Sequence, residues 1–292
     1  MKKIIILLGI GFLSILGYIG YNQYNLKVKE LVKEPKEAFK EETIMKKEEA
    51  LVEKNQAELT LITVYDNNLY DSRLKTGWGF SCLAKTKDRT ILFDTGADSL
   101  TLLANMEKLG LKPKEIDFVV LSHIHGDHVD GLWGLLEKNN QLKIFIPASF
   151  PDSFREKIEA YGATYQDVKG AIRLMEKIYS TGELGMAVRE QALVIETERG
   201  LVVLTGCAHP GVVNLVRKAK EYVGKEIYLV LGGFHLGSTP DKEIRQIIVE
   251  LKNLGVKKIA PCHCSGDRAR QLFKESFGED YLENGVGRII NL

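Results

Sequence analysis

Histidine is scarce in this sequence, and all of it comes late. Six histidines occur in 292 residues, at positions 123, 125, 128, 209, 235 and 263. Cysteine is sparser still. Cys82, Cys207, Cys262 and Cys264 show no spacing that would build a disulfide framework, and the last two are too close together for an easy bridge. An excess of one charge is also missing. The formal net charge is +1, which removes the electrostatic argument for a nucleic-acid partner. What is present, 45% hydrophobic and 27% charged residues, is ordinary for a globular protein. The length allows one large domain or two small ones.

One stretch lacks charge altogether. Ile4 to Tyr21 follows Lys2 and Lys3 without a single Asp, Glu, Lys, Arg or His. As a helix it would be about 27 Å long, close to the ~30 Å hydrocarbon core of a bilayer. It offers no good small-x-small cleavage site. An uncleaved signal anchor is therefore expected over residues 1–25. Lys2 and Lys3 suggest a cytoplasmic N-terminus and an extracytoplasmic catalytic part; cleavage would give a secreted protein instead. Residues 26–56 are rich in Lys and Glu and contain one proline, Pro35. They read as a charged stalk or linker. Residues 57–292 form the expected catalytic domain.

Within that domain the chain is organised around Leu121-Ser-His-Ile-His-Gly-Asp-His128. The apolar run Ile116 to Leu121 reads as a buried strand, and Val129 to Leu136 as a helix start. The polar cluster thus lies on a strand-to-helix turn. Imidazole and carboxylate are ligands for zinc or a similar divalent ion. His123 and His125, two apart, can point the same way from extended backbone. Asp127 and His128 can face a second ion. Before it, Glu58–Asp66, Gly77–Ala84 and Thr90–Asp94 read as strands, with a helix over Ser99–Leu109; after it come the segments that carry the other histidines. Gln191–Thr197 and Gly200–Thr205 form a hairpin that delivers His209. Glu226–Leu231 ends near His235, and Val256–Pro261 ends at Cys262-His263-Cys264. Gly162–Val188 gives no clear pattern.

The H-x-H-x-D-H cluster resembles the metal-binding signature of the metallo-β-lactamase superfamily. T-G-C-A-H-P-G around His209, G-G-F-H-L around His235 and P-C-H-C-S-G around His263 resemble one branch of it, named for a dihydropterin-ribofuranosyl-aminobenzene phosphate synthase. The resemblance spans about residues 58–292. It implies an α/β fold of the αββα kind, two β-sheets face to face with helices outside and metals where strands end. It implies that His209 joins His123 and His125 on one divalent ion, and that His263 joins Asp127 and His128 on another. Zinc is the expected metal, with manganese and iron also suited. Asp94 of D-T-G would lie beneath the site as partner of a ligand histidine, in keeping with the rule that ligating imidazoles donate their other N–H to an acceptor.

One departure stands out. The Asp that bridges both metals in most relatives is missing after Leu231, where Gly232, Gly233 and His235 occupy the region. His235 is accordingly expected to reach the cluster, as a ligand or as an acid over the substrate. The cysteines are read as packing or supporting thiols. The expected reaction is metal-assisted hydrolysis of an ester or phosphoester, with Asp127 orienting water and a small, anionic substrate. The alternatives are the pterin–arylamine condensation of the named branch and a non-catalytic, membrane-tethered binding module.

Overall fold

The computed structural model describes residues 23, 25–27 and 57–292. The chain divides into two units, Met1–Gln56 and Ala57–Leu292. Residues 23 and 25–27 of the first are helical. The anchor expected over residues 4–21 and nearly all of the stalk expected over 26–56 lie outside the described residues. Among the described residues, no helix is long and apolar enough to cross a membrane.

The second unit carries thirteen strands. In chain order the first six are β1 (Leu59–Tyr65), β2 (Ser81–Thr86), β3 (Thr90–Phe93), β4 (Phe118–Val120), β5 (Lys143–Pro147) and β6 (Thr164–Val168). Next come β7 (Ile172–Met175), β8 (Ile178–Ser180), β9 (Leu193–Thr197), β10 (Gly200–Thr205), β11 (Ile227–Gly233) and β12 (Lys258–Cys262), and finally β13 (Ile289–Asn291). One sheet has the order β13-β1-β2-β3-β4-β5-β6 and the other β12-β11-β10-β9-β8-β7.

Alternation along the strands explains why the sheets stack. Successive side chains face opposite sides of a strand. Phe118 and Val120 of β4 join Val202, Leu204, Leu229 and Leu231 in a core between the sheets. Val119 faces the other way, towards Leu102, Leu132 and Leu135 on helices. Leu201 and Val203 of β10 turn outward against Leu215, Val216 and Ile244. Three cores in succession make four layers, helix, sheet, sheet and helix. Strands buried on both faces read as continuous apolar runs, as in parallel sheets covered by helices.

Pairings β3–β4, β4–β5, β10–β11 and β11–β12 are parallel. Their carboxyl ends therefore lie along one edge of each sheet, the usual ligand-binding edge of open α/β sheets. The segment Gly162–Val188 contains β6, β7 and β8, in which Val168, Ile178 and Ser180 alone are fully buried. Such strands lose the apolar alternation by which strands are recognised. The helix expected from Val129 is split into Gly126–Val129 and Leu132–Lys138. The break falls where Gly131 packs on the β3 turn: a Cβ there would stand 2.0 Å from Thr95 O.

Candidate metal centre

Every histidine of the chain sits just beyond a strand. β4 delivers His123, His125 and His128, β10 delivers His209, β11 delivers His235 and β12 delivers His263. Ligand atoms of His123, His125 and His209 all lie within 4.8 Å of one another, as do those of Asp127, His128, Cys207 and His263. A third group, Cys207, His209 and His235, meets the same criterion and joins the other two. His235 thus lies in the cluster, with its ring centroid 4.6 Å from that of His209.

Each of four imidazoles is held by the nitrogen that faces away from the cluster. His128 Nδ1 lies 2.7 Å from Asp94 Oδ2. His209 Nδ1 lies 2.9 Å from Glu190 Oε2. His263 Nδ1 lies 3.0 Å from Asn67 Oδ1. His123 Nδ1 lies 2.9 Å from Ser122 Oγ, whose hydroxyl donates to Asp94 Oδ2 at 2.6 Å. A donated Nδ1 proton leaves the Nε2 lone pair directed into the centre, which is how metal-binding histidines are commonly oriented. His123 Nε2 stands 3.1 Å from His125 Nδ1. Two lone pairs that close need a proton or a cation between them.

The supports are themselves locked by short-range structure. Asp94, at the end of β3, also accepts from Ser122 N at 2.6 Å. Thr95 donates to His128 O through its backbone N at 2.7 Å and its hydroxyl at 2.9 Å. Glu190 is fully buried and accepts from Ala208 N at 2.8 Å and His209 N at 2.9 Å. At the end of β1, Asp66 accepts from Asn68 N at 2.6 Å in a tight turn that presents Asn67. Among the described residues, five non-glycines adopt positive φ: Asp94, Lys177, Ala208, His235 and His263. Four of the five belong to this site, and backbone strain of about 1–3 kcal/mol each is typical of such places.

The electrostatics suit a cation. Burial, then the proximity of His128, lowers His123 to about 3; burial, then His263, lowers His128 to about 4. Both are neutral at pH 7, the form that ligates metal. Asp127 is opposed by burial, but His263, His128 and His123 outweigh it and hold the carboxyl well below the usual range. Burial raises Glu190, yet hydrogen bonding from His209 and the amides, with His123 nearby, brings it to about 2. Burial pushes Asp94 up to about 7 against the pull of His123 and Ser122. His263 Nε2 is buried without a hydrogen-bond partner, although it lies 3.3 Å from Asp127 Oδ2. A buried unpartnered nitrogen is costly, and a divalent ion would satisfy it. The donor set of imidazoles, one carboxylate and one thiol fits zinc or a similar ion.

Sequence reasoning missed four residues. Glu190, Asn67 and Ser122 support the histidines, and Cys207, read as packing, places Sγ 3.2 Å from His128 Nε2. No local pattern marks Glu190. The available signal is the chemical demand that each ligating imidazole have an acceptor behind it. The strand-alternation argument for Cys262 and Cys264 also fails in part. The strand ends at Cys262 and a 3₁₀ turn spans His263–Ser265, so Cys264 folds back to lie 3.6 Å from Cys207 O. At the rim, Trp78 is 61% exposed, and its ring centroid lies 5.0 Å from that of His263.

Comparison with known proteins gives a consistent result. Residues 79–263 match the family model described as the metallo-beta-lactamase superfamily. The chain is 34% identical over 270 residues to the 7,8-dihydropterin-6-methyl-4-(β-D-ribofuranosyl)-aminobenzene-5′-phosphate synthase of Methanocaldococcus jannaschii, covering 76% of this chain and 92% of that protein. The fold is similar to the crystal structure of Tm1679, a metal-dependent hydrolase of the β-lactamase superfamily, with TM-score 0.67 and 26% identity over 80% of this chain and 99% of that one. It is also similar to the short form of human tRNase Z, with TM-score 0.56 and 15% identity over 80% and 98% of the two chains. The last likeness is one of fold alone.

Proposed function

The chain belongs to the metallo-β-lactamase superfamily, and from that premise we propose that it is a metal-dependent hydrolase acting on an ester or phosphoester of a small anionic molecule. The observation that carries the reading is the convergence of two donor sets, His123–His125–His209 and Asp127–His128–His263, with four imidazoles pinned from behind. These residues would hold two divalent ions, zinc first. Bound there, such ions supply Lewis acidity that polarises the scissile oxygen and acidifies water near neutral pH.

The chain's own groups divide the remaining work. Asp127, ionised at neutral pH and partly exposed, orients the attacking water through its carboxylate. His235 is exposed at the mouth of the centre beside Cys264, whose hydrogen bond raises the imidazole above its ordinary value. It is positioned to donate a proton or hydrogen bond to the leaving oxygen. Trp78 offers an exposed aromatic face at the rim, against which a planar substrate group can stack. Asp127 is the lone carboxylate among the converging donors, so two divalent ions would leave the centre strongly positive, which favours phosphates.

A second reading is the condensation of a pterin with an arylamine phosphate, favoured by the 34% identity to the Methanocaldococcus jannaschii synthase. Metal-loaded protein should be assayed in parallel on aryl phosphodiesters, aryl esters and the pterin–arylamine pair. Chelator-sensitive release of the aryl alcohol supports hydrolysis. Condensation without hydrolysis would replace it with the second reading. Separately, the uncharged run of residues 4–21 supports placing the enzyme at a membrane with its domain outside the cytoplasm. A mature N-terminus beginning beyond Tyr21, with the protein in the soluble fraction, would show cleavage and secretion instead.

A further inference from the structure

We propose that Cys207 is itself a metal ligand, its thiolate shared between the two histidine sets in place of a bridging carboxylate. The inference rests on the metal reading above and adds to it a donor of a different chemical class from a different strand end.

The first observation is position. Cys207 belongs both to the group with Asp127, His128 and His263 and to the group with His209 and His235. No other residue unites those two groups. Its Sγ stands 3.2 Å from His128 Nε2, the nitrogen opposite the Asp94 hydrogen bond. A thiol hydrogen bond to His128 accounts for that contact alone, but not for the same sulfur lying within 4.8 Å of a ligand atom of His209, which belongs to the other set. Bonds of about 2.3 Å to sulfur and 2.1 Å to nitrogen put two donors of one tetrahedral zinc about 3.6 Å apart. The contact seen is within a few tenths of an ångström of that span.

The second observation is steric and independent of the first. The end of β11 has no room for a side chain that could bridge. A Cβ on Gly233 would stand 2.3 Å from Gly206 O, 2.7 Å from Cys264 Sγ and 3.2 Å from His263 Cδ2. The Cys264 sulfur occupies the space that an acid at 233 would need. A bridging donor must therefore come from elsewhere, and the adjacent parallel strand β10 ends two residues before Cys207. Cys264 is in none of the donor groups among the described residues; it fills space, contacts the Cys207 backbone and hydrogen-bonds His235. Thiolate with imidazole is a donor set that selects zinc over magnesium or calcium.

Cobalt(II) substitution of the full-length protein tests this without reference to catalysis. Histidine and carboxylate donors give visible d–d bands, whereas a thiolate donor adds an intense near-ultraviolet charge-transfer band. The wild type should show both. Cys207→Ser should lose the charge-transfer band, keep the d–d bands and bind cobalt more weakly. Cys264→Ser should keep both. Cys207→Asp should bind cobalt without the charge-transfer band, which covers the case of a poorly folded serine variant. Cobalt bound by the wild type with d–d bands alone overturns the thiolate proposal and leaves the metal reading standing. A charge-transfer band that survives Cys207→Ser and disappears in Cys264→Ser overturns it in favour of Cys264. Failure of the wild type to bind cobalt at all overturns both.

Discussion

Glu190→Gln is the sharpest test of how this site is held. Glu190 is fully buried and receives three hydrogen bonds, from Ala208 N at 2.8 Å and from His209 N and His209 Nδ1 at 2.9 Å each. Its carboxyl is held at about 2 rather than the ordinary 4.5. That depression corresponds to about 3 kcal/mol of folding free energy at neutral pH. The sign follows from linkage: the contribution is present above pH 4.5 and is lost as pH falls towards about 2. Three charge-assisted bonds at about 1.5–3 kcal/mol each would exceed that figure, and the cost of burying the carboxylate makes up the difference.

Glutamine keeps the shape and removes the charge. Its amide has one oxygen for three donors, so its NH₂ must face an N–H or donate to His209 Nδ1. The second choice moves the histidine proton to Nε2, the atom that faces the centre. Stability of the metal-free protein should fall by about 2–4 kcal/mol. Zinc affinity should fall about 10–100-fold, as for other groups that orient a ligating histidine. Urea unfolding in chelator and competition against a chromophoric chelator measure the two effects. A variant that keeps wild-type zinc affinity within a factor of two, at any stability, would refute the claim that Glu190 sets the His209 tautomer.

Three further outcomes are expected. In the metal-free protein, His123 and His128 bind protons only when unfolded between pH 6.5 and about 5, so acidification through that window costs about 2 kcal/mol for each. Asp94, raised to about 7 in the fold, and His235 and His263, both raised, act in the opposite sense, so the contribution is read by difference: His128→Gln should lose less stability than the wild type between pH 6.5 and about 5, and an equal loss in both would contradict it. Gly206→Ala would put a Cβ 2.1 Å from Ser122 Oγ and 3.0 Å from Asp94 Oδ2, so thermal unfolding should show about 1–3 kcal/mol of destabilisation, and an unchanged Tm would mean that the Asp94–Ser122 pair is loosely held. Asn67→Ala removes the acceptor behind His263; zinc titration should show one ion weakened about 10–100-fold and the other unchanged, and equal weakening of both would deny that His263 serves one ion.

Much of the site was legible because it is local. Within His123–His128 the ligand spacing follows from extended backbone and one helical turn, both fixed by a few residues of chain. The strands that carry His209 and His263 were legible too, since apolar runs of that length, bounded by glycine or proline, have few alternatives in a domain of this size. The absence of an acid after Leu231 was visible as composition, and the sequence placed His235 near the gap.

Tertiary structure alone decided what stands behind and between those histidines. Asn67 meets His263 across 196 residues, and Cys207 meets His128 across 79. Such partners are selected by strand order in the two sheets, which brings the ends of β1, β4, β10 and β12 to one edge, and local periodicity carries no information about that order. Glu190 was hidden for the same reason: its role depends on the backbone amides of Ala208 and His209 turning towards it. The reading of Cys207 as packing rested on its neighbours in sequence. Its nearness to His128 and His209, and the crowding of Gly233 by the Cys264 sulfur, are spatial facts that exist only once β10, β11 and β12 lie side by side.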